Sequence, residues 1–513
     1  MGLVQRETLK TTILSSLGLV LGYVNKAVLF LILLSPEQVG LVNLTVTVGL
    51  LFSQFANLGT IYSVWRFFPF FRNQDQGHYG FLLLNMFIVL FGVIIMSIVV
   101  FIFRDTIVYL YEDKSELFVD YYLWIIPIGI AHVYYVLFDN YLRGLHKNAL
   151  SVFLNEIVLR TMVTALLVLL YGKWIGFHQF FIFHALLYFL PTVSLFLYLI
   201  RKGELSLSIH SIKISKRFRR LIFYFSGFSY INTLAVLLVI SMDAMMIAHY
   251  INLKATAVYT TVIYITSAVM VPYRSLIRVS SPLVALHWKN RDMPALQNLY
   301  TKSSSVGLYF ALLSFSVIWF PVKEIFSFIP QYSDGVFVFL FTMIGRMVDM
   351  FCGLNGTIFS TSRKYKFDLI FSVFLCATVF YLNMLLIPEY GVVGAAISTS
   401  LAYVIYNVLR CWYIYYYYKL HPLNQQQLFL IIYFAGFYGL MLAYDSYLLQ
   451  WIEFPNLIFP IIFKWLMIVL ALMVPVYFLN LENESTQYIQ KFIVNFKNKR
   501  QRETQGGVKI NNE

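Results

Sequence analysis

Long apolar runs follow one another from residue 11 to residue 479, separated by short polar connectors. Each run is close to the length that crosses a lipid bilayer as a helix. The pattern predicts fourteen helices, at 11–34, 39–63, 79–103, 121–142, 149–171, 176–200, 221–249, 256–280, 303–322, 337–360, 367–387, 392–418, 427–446 and 456–479. The longest outer connector is about 17 residues, too short for an inserted soluble domain. The polar head MGLVQRETLK leads into about 24 mostly apolar residues without a small-residue cleavage pattern. It is read as the start of the first membrane helix, not as a signal peptide.

The loop charges test this topology. With the N-terminus placed on the cytoplasmic side, 29 of the 38 Lys and Arg fall on that side and 5 in outer loops. The other 4, Lys26, Arg160, Arg346 and Lys464, lie deep in helices. The bias alternates without a break, as the positive-inside rule requires, and puts both termini in the cytoplasm. Composition agrees: of 513 residues 60% are hydrophobic and 12% charged, and the mean hydropathy is +0.73. The net charge of +14 is explained by topology and anionic lipid, not by nucleic acid. Cys352, Cys376 and Cys411 lie in apolar runs without paired spacing, so neither a disulfide framework nor a metal site is expected.

An internal duplication is visible. In 26-KAVLFLILLSPEQVGLVNLTV-46 and 243-DAMMIAHYINLKATAVYTTVI-263 an ionisable residue precedes a small one, Gly40 or Ala257, by 14 positions. The offset is 217, and a second match between Lys147–Tyr171 and Lys366–Tyr390 gives 219. Six helices per repeat is an even number, so the repeats are related by an axis along the membrane normal. The predicted fold is an all-α polytopic membrane protein with about fourteen transmembrane helices, in two six-helix lobes plus a C-terminal pair. Its predicted parts are lobes at 1–200 and 221–420, a basic linker at 201–220, an extra helix pair at 421–480 and a polar tail at 481–513.

Charges inside the membrane are costly and therefore informative, at roughly 2.5–3.5 kcal/mol each on insertion scales. Lys26 and Asp243 are equivalent by the repeat and of opposite sign. They are predicted to pair as an outer gate across the central cleft; hydroxyls near Asp243 are the plainer partners. Glu156 and Arg160, and Arg346 and Asp349, stand one turn apart and neutralise each other unless a substrate recruits one member. Arg274 and Arg278 are like charges on one helix face with no acid nearby in 272-PYRSLIRVSSP-282. They suit an anion such as phosphate, or snorkel to the interface. With Arg66 and Arg410 these residues would make a cationic cleft. The substrate-binding candidates are thus Lys26, Arg160, Arg274, Arg278 and Arg346, and the gating or ion-coupling candidates Asp243, Glu156 and Asp349. The YIYYYY run at 413–418 reads as an interfacial aromatic belt. No nucleotide loop, His/Cys cluster or nucleophile motif is present, and no enzymatic activity or cofactor is expected. His132 and His184 read as satisfied polar residues. Energy would come from H+, Na+ or the membrane potential.

Several stretches resemble one family. 277-IRVSSPLVALHWKNRDMPALQNLYTKSSSVGLYF-310 is similar to a cytoplasmic connection of polysaccharide exporters, and 387-IPEYGVVGAAISTSLAYVIYNVLRCWY-413 to their proline, aromatic-Gly and Gly-Ala-Ala signature. 34-LSPEQVGLVNL-44, 58-LGTIYSVWRFFP-69 and Asp243 followed by 257-AVY-259 fit the same frame. The chain resembles the Wzx-like polysaccharide flippases of the multidrug/oligosaccharidyl-lipid/polysaccharide exporter superfamily. The resemblance implies two lobes around a cleft, alternating access and a polyprenyl-(pyro)phosphate-linked glycan as cargo. It implies a bacterial cytoplasmic (inner) membrane, with polysaccharide polymerase and glycosyltransferases as pathway partners. Fourteen helices resemble the lipid II flippases of the superfamily, in which the extra pair forms a groove for the lipid tail. Lys26 and Arg274 stand where those flippases place cleft arginines. The alternatives are a lipid II flippase, a cation-coupled multidrug exporter, and a membrane glycosyltransferase or polymerase.

Overall fold

A computed structural model describes residues 3–73, 77–205, 216–362, 364, 366–448 and 458–478. The predicted linker is covered only at its two ends, and the predicted tail lies outside the described residues. Regular structure among the described residues is helical throughout. Chains this apolar must satisfy every backbone group internally, and a helix does so within one segment.

The first lobe contains α1 (Lys10–Leu33), α2 (Pro36–Ala56), its continuation α3 (Thr60–Phe71) and α4 (Phe81–Ile102). A polar helix α5 (Arg104–Tyr121) follows, then α6 (Ile125–Gly144), α7 (Ala149–Tyr171) and α8 (Phe177–Arg201). The second lobe has α9 (Lys216–Tyr250) and α10 (Leu253–Val269), which bends by 47° into α11 (Val271–Asn290). It continues with α12 (Met293–Trp319), short α13 (Val322–Ser327) and α14 (Gly335–Phe351), bent by 52° into α15 (Asn355–Thr361). α16 (Lys366–Tyr418) closes the lobe. α17 (Gln425–Ala443) and α18 (Ile458–Phe478) come last.

The breaks have local causes. Pro272 stands at the start of α11 and cannot donate to the preceding turn. Gly353 takes a left-handed φ of 59° between α14 and α15. α16 has 53 residues, roughly 80 Å if straight, far more than a bilayer. Gly391, at φ 61° and ψ −138°, breaks it into two arms that correspond to the eleventh and twelfth predicted helices. α2 starts at a capping box, in which Ser35 Oγ accepts from Gln38 N and Gln38 Oε1 accepts from Ser35 N. Among the described residues nine helices are long and apolar enough to cross a membrane, or eleven when each bent pair is one span. Fourteen remains a count from the sequence. The predicted outer loop at 104–120 is the helix α5.

The terminal pair leans on the second lobe. Trp319 Nε1 donates to the Tyr438 hydroxyl at 3.3 Å. Lys464 is buried on α18, where Glu324 at 2.7 Å, Asp445 at 3.0 Å and the Phe320 carbonyl at 2.9 Å surround its ammonium. One deep cation of the sequence is therefore an anchor between helices.

A second buried ionic cluster closes the first lobe at the end predicted to be cytoplasmic, called the basic end below. Glu204, 3% exposed, accepts from Lys147 Nζ and bonds His78 Nε2, both at 2.9 Å. Tyr141 donates to its backbone carbonyl at 3.0 Å. Three connectors thus meet on one carboxylate. Burial pushes the Glu204 carboxyl up, but the bonds from Lys147 and His78 outweigh it and hold it below the usual carboxylate range. Its bond to Glu204 raises the Lys147 ammonium above its usual range. A lowered acid stabilises the fold above its unfolded pKa near 4.5 and loses that contribution as pH falls through the folded value. A raised lysine stabilises below about 10.5 and loses it as pH rises through the folded value. Glu204→Gln should lower stability by about 2 kcal/mol near pH 7, the worth of hydrogen bonds to a charged group. Thermal unfolding at pH 7 and at pH 3 checks this; the difference between variant and wild type should shrink at pH 3.

Candidate functional site

The two lobes meet along α2 and α10. Gly40 on α2 sits so close to α10 that a Cβ there would strike the Leu253 carbonyl. Three residues along, Asn43 Nδ2 donates to Thr260 Oγ1 at 3.1 Å. Asn43 and Thr260 are separated by 217 residues, the repeat offset. Equivalent residues that touch must lie beside the axis relating the repeats, so the offset read in the sequence marks the centre of the seam. At the end opposite the basic end, α5 straps the first lobe to α9. Tyr111 donates to the Met245 carbonyl at 3.2 Å, Ser115 to the Ala248 carbonyl at 2.7 Å, and His249 Nδ1 to the Leu110 carbonyl at 2.6 Å.

Below this closed seam lie two cavities with Lys26 in both walls. One, of about 220 Å³, lies between the lobes and is lined by Lys26, Asn43, Thr47, Ser241, Tyr264 and Ser267 among others. The other, of about 280 Å³, enters the first lobe past Asn25, His132, Arg160, His184 and Tyr188. Among the described residues Lys26 Nζ has only Asn43 Oδ1 at 3.4 Å and the Tyr264 ring at 5.5 Å. Neither neutralises its charge, and among the described residues no carboxylate pairs with it. An anion entering either cavity meets an uncompensated cation.

Lys26 is aimed by a local distortion. Residues Val24–Leu29 of α1 form a π-helical turn, and Phe153–Val158 of α7 form another opposite it. Such turns re-aim side chains and often mark functional sites. Asn25 Nδ2 donates to the Arg160 carbonyl at 2.8 Å, and Thr164 donates to Asn25 Oδ1 at 2.8 Å, which ties the turn of α1 to the stretch of α7 that follows its own turn. Gly18 and Gly22 leave the space that Glu156 and Arg160 occupy. Arg160 pairs with Glu156 at 2.5 Å and also donates to the Gly18 carbonyl. The two therefore neutralise each other, as their spacing predicts. The signal for this junction, 18-GLVLG-22, is a small-residue contact motif that charge reasoning alone passes over.

The predicted pairing of Lys26 with Asp243 is not made here. Asp243, 3% exposed, points into the second lobe. Its carboxylate accepts from the Tyr259 hydroxyl, from Asn383 Nδ2 at 2.7 Å, and from Thr399 Oγ1 at 2.9 and 2.8 Å. Three donors from neighbouring helices solvate the charge more cheaply than one lysine across a cavity, and the plainer reading holds. Asn383 and Thr399 lie 140 and 156 positions away, beyond the reach of spacing arguments.

The other candidates separate. Arg346 lines a small pocket with Asp243 and rests on the Tyr403 ring at 5.6 Å, in neither wall that holds Lys26. Asp349 accepts from Asn407 Nδ2 at 3.3 Å. Arg410 pairs with Asp368 and stacks on Tyr406, and Arg66 lies over Phe225 at 4.1 Å. Of the predicted all-basic cleft, Lys26 and the Glu156-paired Arg160 line the cavities above, and Arg274 and Arg278 line neither of them. Arg274 and Arg278 are exposed on α11 and make no ion pair among the described residues. α11 bends away at the basic end and packs on α12 and α15 of its own lobe. His132 bonds Ser53 at 2.9 Å, a satisfied core histidine as predicted. Among the described residues no group of three or more metal-ligating side chains occurs.

Two lobes on a twofold seam, with a cavity at the seam, occur in solved transporters. A structure of the lipid II flippase MurJ in an inward closed conformation superposes with a TM-score of 0.66 at 13% identity, over 95% of this chain and 99% of that one. The fold is that of MurJ and the MATE transporters. An inward-facing multidrug resistance MATE family transporter of the MOP superfamily gives a TM-score of 0.60 at 14% identity, over 79% of this chain and 94% of its own. An outward-facing MATE transporter gives 0.52 at 12% identity, over 81% of this chain and 95% of its own. No family model matches the sequence, and no curated protein does.

Proposed function

We propose that this chain is a flippase that moves a polyprenyl-(pyro)phosphate-linked oligosaccharide from the cytoplasmic to the outer leaflet by alternating access, for surface polysaccharide assembly. One observation carries the reading: the cavity at the seam presents an uncompensated Lys26, while the deep acids Asp139, Glu156, Asp243 and Asp349 all have polar or cationic partners. Such a site selects an anion. Arg274 and Arg278, unpaired along the basic end, supply guanidinium forks suited to phosphate oxygens on the way in. Arg160 becomes available only if cargo displaces Glu156. In the cavity that enters the first lobe, Asn25, Tyr188 and Tyr264 suit sugar hydroxyls and ring faces. α17 and α18 flank the second lobe as a groove for the lipid tail. The membrane is a bacterial inner membrane with both termini cytoplasmic, and the pathway's polymerase and glycosyltransferases are its partners. An ion gradient or the membrane potential supplies energy, with Asp243 on the coupling side.

The test is reconstitution into liposomes that carry a labelled polyprenyl-pyrophosphate oligosaccharide, with movement between leaflets followed in time. Wild type should flip the label, and Arg274→Ala with Arg278→Ala should slow it roughly tenfold or more, each lost charge-assisted contact being worth about 1.5–3 kcal/mol. Equal rates would move the phosphate contacts away from α11. Wild type that moves no glycan lipid, but expels organic cations against an imposed gradient, would replace the proposal with a drug exporter.

A further inference from the structure

We propose that Tyr264 is a stopper between the two cavities: with the lobes closed its side chain shuts the first-lobe chamber off from the cleft, and its bulk sets the size of the group that crosses. The walls carry the inference. The two cavities share Lys26, Val46, Leu50 and Tyr264, which together form the partition between them. The first three belong to α1 and α2. Tyr264 stands on α10 and is, among the described residues, the only one from the second lobe in the wall of the first-lobe cavity. A chamber built inside one lobe is thus completed by one side chain of the other.

Tyr264 reaches across the seam. Its ring centroid lies 4.7 Å from that of Tyr23 on α1. Its hydroxyl comes within 2.9 Å of where a Cβ on Gly22 would stand, beside the Arg160 guanidinium. Glycine at 22 therefore makes room for the tip. Behind the ring, the Tyr264 carbonyl accepts from Tyr23 Oη at 3.2 Å and from Ser267 Oγ at 2.7 Å. A ring pair and a hydrogen bond across the seam can be broken and remade as the lobes part. The counterpart on α2, 217 positions earlier, is Thr47. Its hydroxyl turns back to the Asn43 carbonyl at 2.7 Å, and of the two cavities it lines the one between the lobes. The stopper is a property of one lobe, not of the repeat.

Volume gives the stopper its consequence. At about 220 and 280 Å³, each cavity alone is smaller than the roughly 300–1,000 Å³ usual for a small-molecule site; joined, they come to about 500 Å³. Withdrawal of Tyr264 joins them, and it also removes the ring that lies 5.5 Å from the Lys26 ammonium. The cation then faces one chamber with Asn25, His132 and Tyr188 in its wall. Closure reverses this. A group that fits the first-lobe chamber is shut in, and a larger one holds the ring out and the lobes apart. That the group is the part of a glycan next to its phosphate rests on the flippase reading above.

The experiment uses the purified full-length protein with Cys352, Cys376 and Cys411 replaced and one reporter cysteine added. The reporter is Asn155→Cys in the first-lobe chamber or Thr47→Cys in the cleft between the lobes. Two probes are compared: methyl methanethiosulfonate, and a methanethiosulfonate that carries one hexose. Reaction behind a shut partition is limited by how often it opens, so Tyr264→Ala should speed the hexose reagent at Asn155→Cys by roughly tenfold or more. Both rates at Thr47→Cys should stay as they are. Tyr264→Phe keeps the ring and should match wild type at both reporters. An unchanged hexose rate at Asn155→Cys in folded Tyr264→Ala protein overturns the proposal. An equal rise at both reporters also overturns it, since the whole seam would then have loosened. Melting curves show which variants are folded, and Tyr264→Leu carries the same test if Tyr264→Ala is not. Neither probe is a lipid-linked glycan, so failure of the flippase assignment would leave the outcome standing.

Discussion

Lys26→Gln should reduce flipping of a polyprenyl-pyrophosphate glycan by roughly ten- to a hundredfold, without loss of thermal stability. The loss of rate is expected from position. Lys26 is in the walls of both cavities and has no carboxylate partner among the described residues. A hydrogen bond to a charged group is worth about 1.5–3 kcal/mol, and each 1.4 kcal/mol is tenfold. The unchanged stability is expected from the contacts of Lys26: an amide oxygen at 3.4 Å and a ring at 5.5 Å. Such contacts only weakly offset the cost of removing an ammonium from water. A neutral residue of similar length therefore leaves stability unchanged or raises it. A structural lysine behaves in the opposite way. Lys464, held by Glu324 and Asp445, should destabilise on the same substitution. Lys26→Arg keeps the charge and should retain a large part of the rate. Initial flipping rates and melting temperatures of the three Lys26 forms decide the matter; an unchanged rate in Lys26→Gln would remove Lys26 from the anion site.

Gly40→Val should stall transport and hold the far end of the seam open. Gly40 permits the close approach of α2 and α10, where a Cβ would meet backbone, the Leu253 carbonyl, not a side chain that can rotate away. Relief requires one helix to retreat. Overpacking of this kind costs about 1–3 kcal/mol in the closed arrangement. The open arrangement does not bear that cost, so the balance between the two shifts by roughly five- to a hundredfold. Thr260, which receives the bond from Asn43 across the seam, reports on the change. With the three native cysteines removed, Thr260→Cys should react faster with a polar maleimide applied from the far side when Gly40 is Val. Gly40→Ala should give a smaller change in the same direction. A folded Gly40→Val protein with unchanged labelling would mean that this contact does not set the closed state.

Much of the architecture was legible because lipid removes choices. A stretch such as 149–171, apolar and flanked by polar residues, could only be a helix, and α7 has those bounds. The Gly391 break was visible as a Pro-aromatic-Gly cluster between two runs. A repeat offset was readable from two short matches, 217 in one and 219 in the other, and Asn43 touching Thr260, 217 residues apart, is its structural counterpart. Helix α5 was missed as an element, because five acids within 104–121 make it read as a loop; its role as a strap depends on where α9 ends.

Charge signs and positions inside the membrane were likewise fixed by the sequence, as was the pairing of Glu156 with Arg160, which one helical turn enforces. Which charge faces which was decided by the tertiary structure alone. Lys26 and Asp243 are equivalent along the chain, yet the π-helical turn in α1 aims one at the cavity, and Tyr259, Asn383 and Thr399 draw the other into the second lobe. Arg410 and Arg346 read as cleft residues along the chain, but folding places Asp368 and Tyr403 beside them. The physical reason is one of range. Helix formation and bilayer crossing are set by neighbours within a few turns, which the sequence displays. The cost of a charge in lipid is met by whichever donors, from any helix, folding brings within about 3 Å.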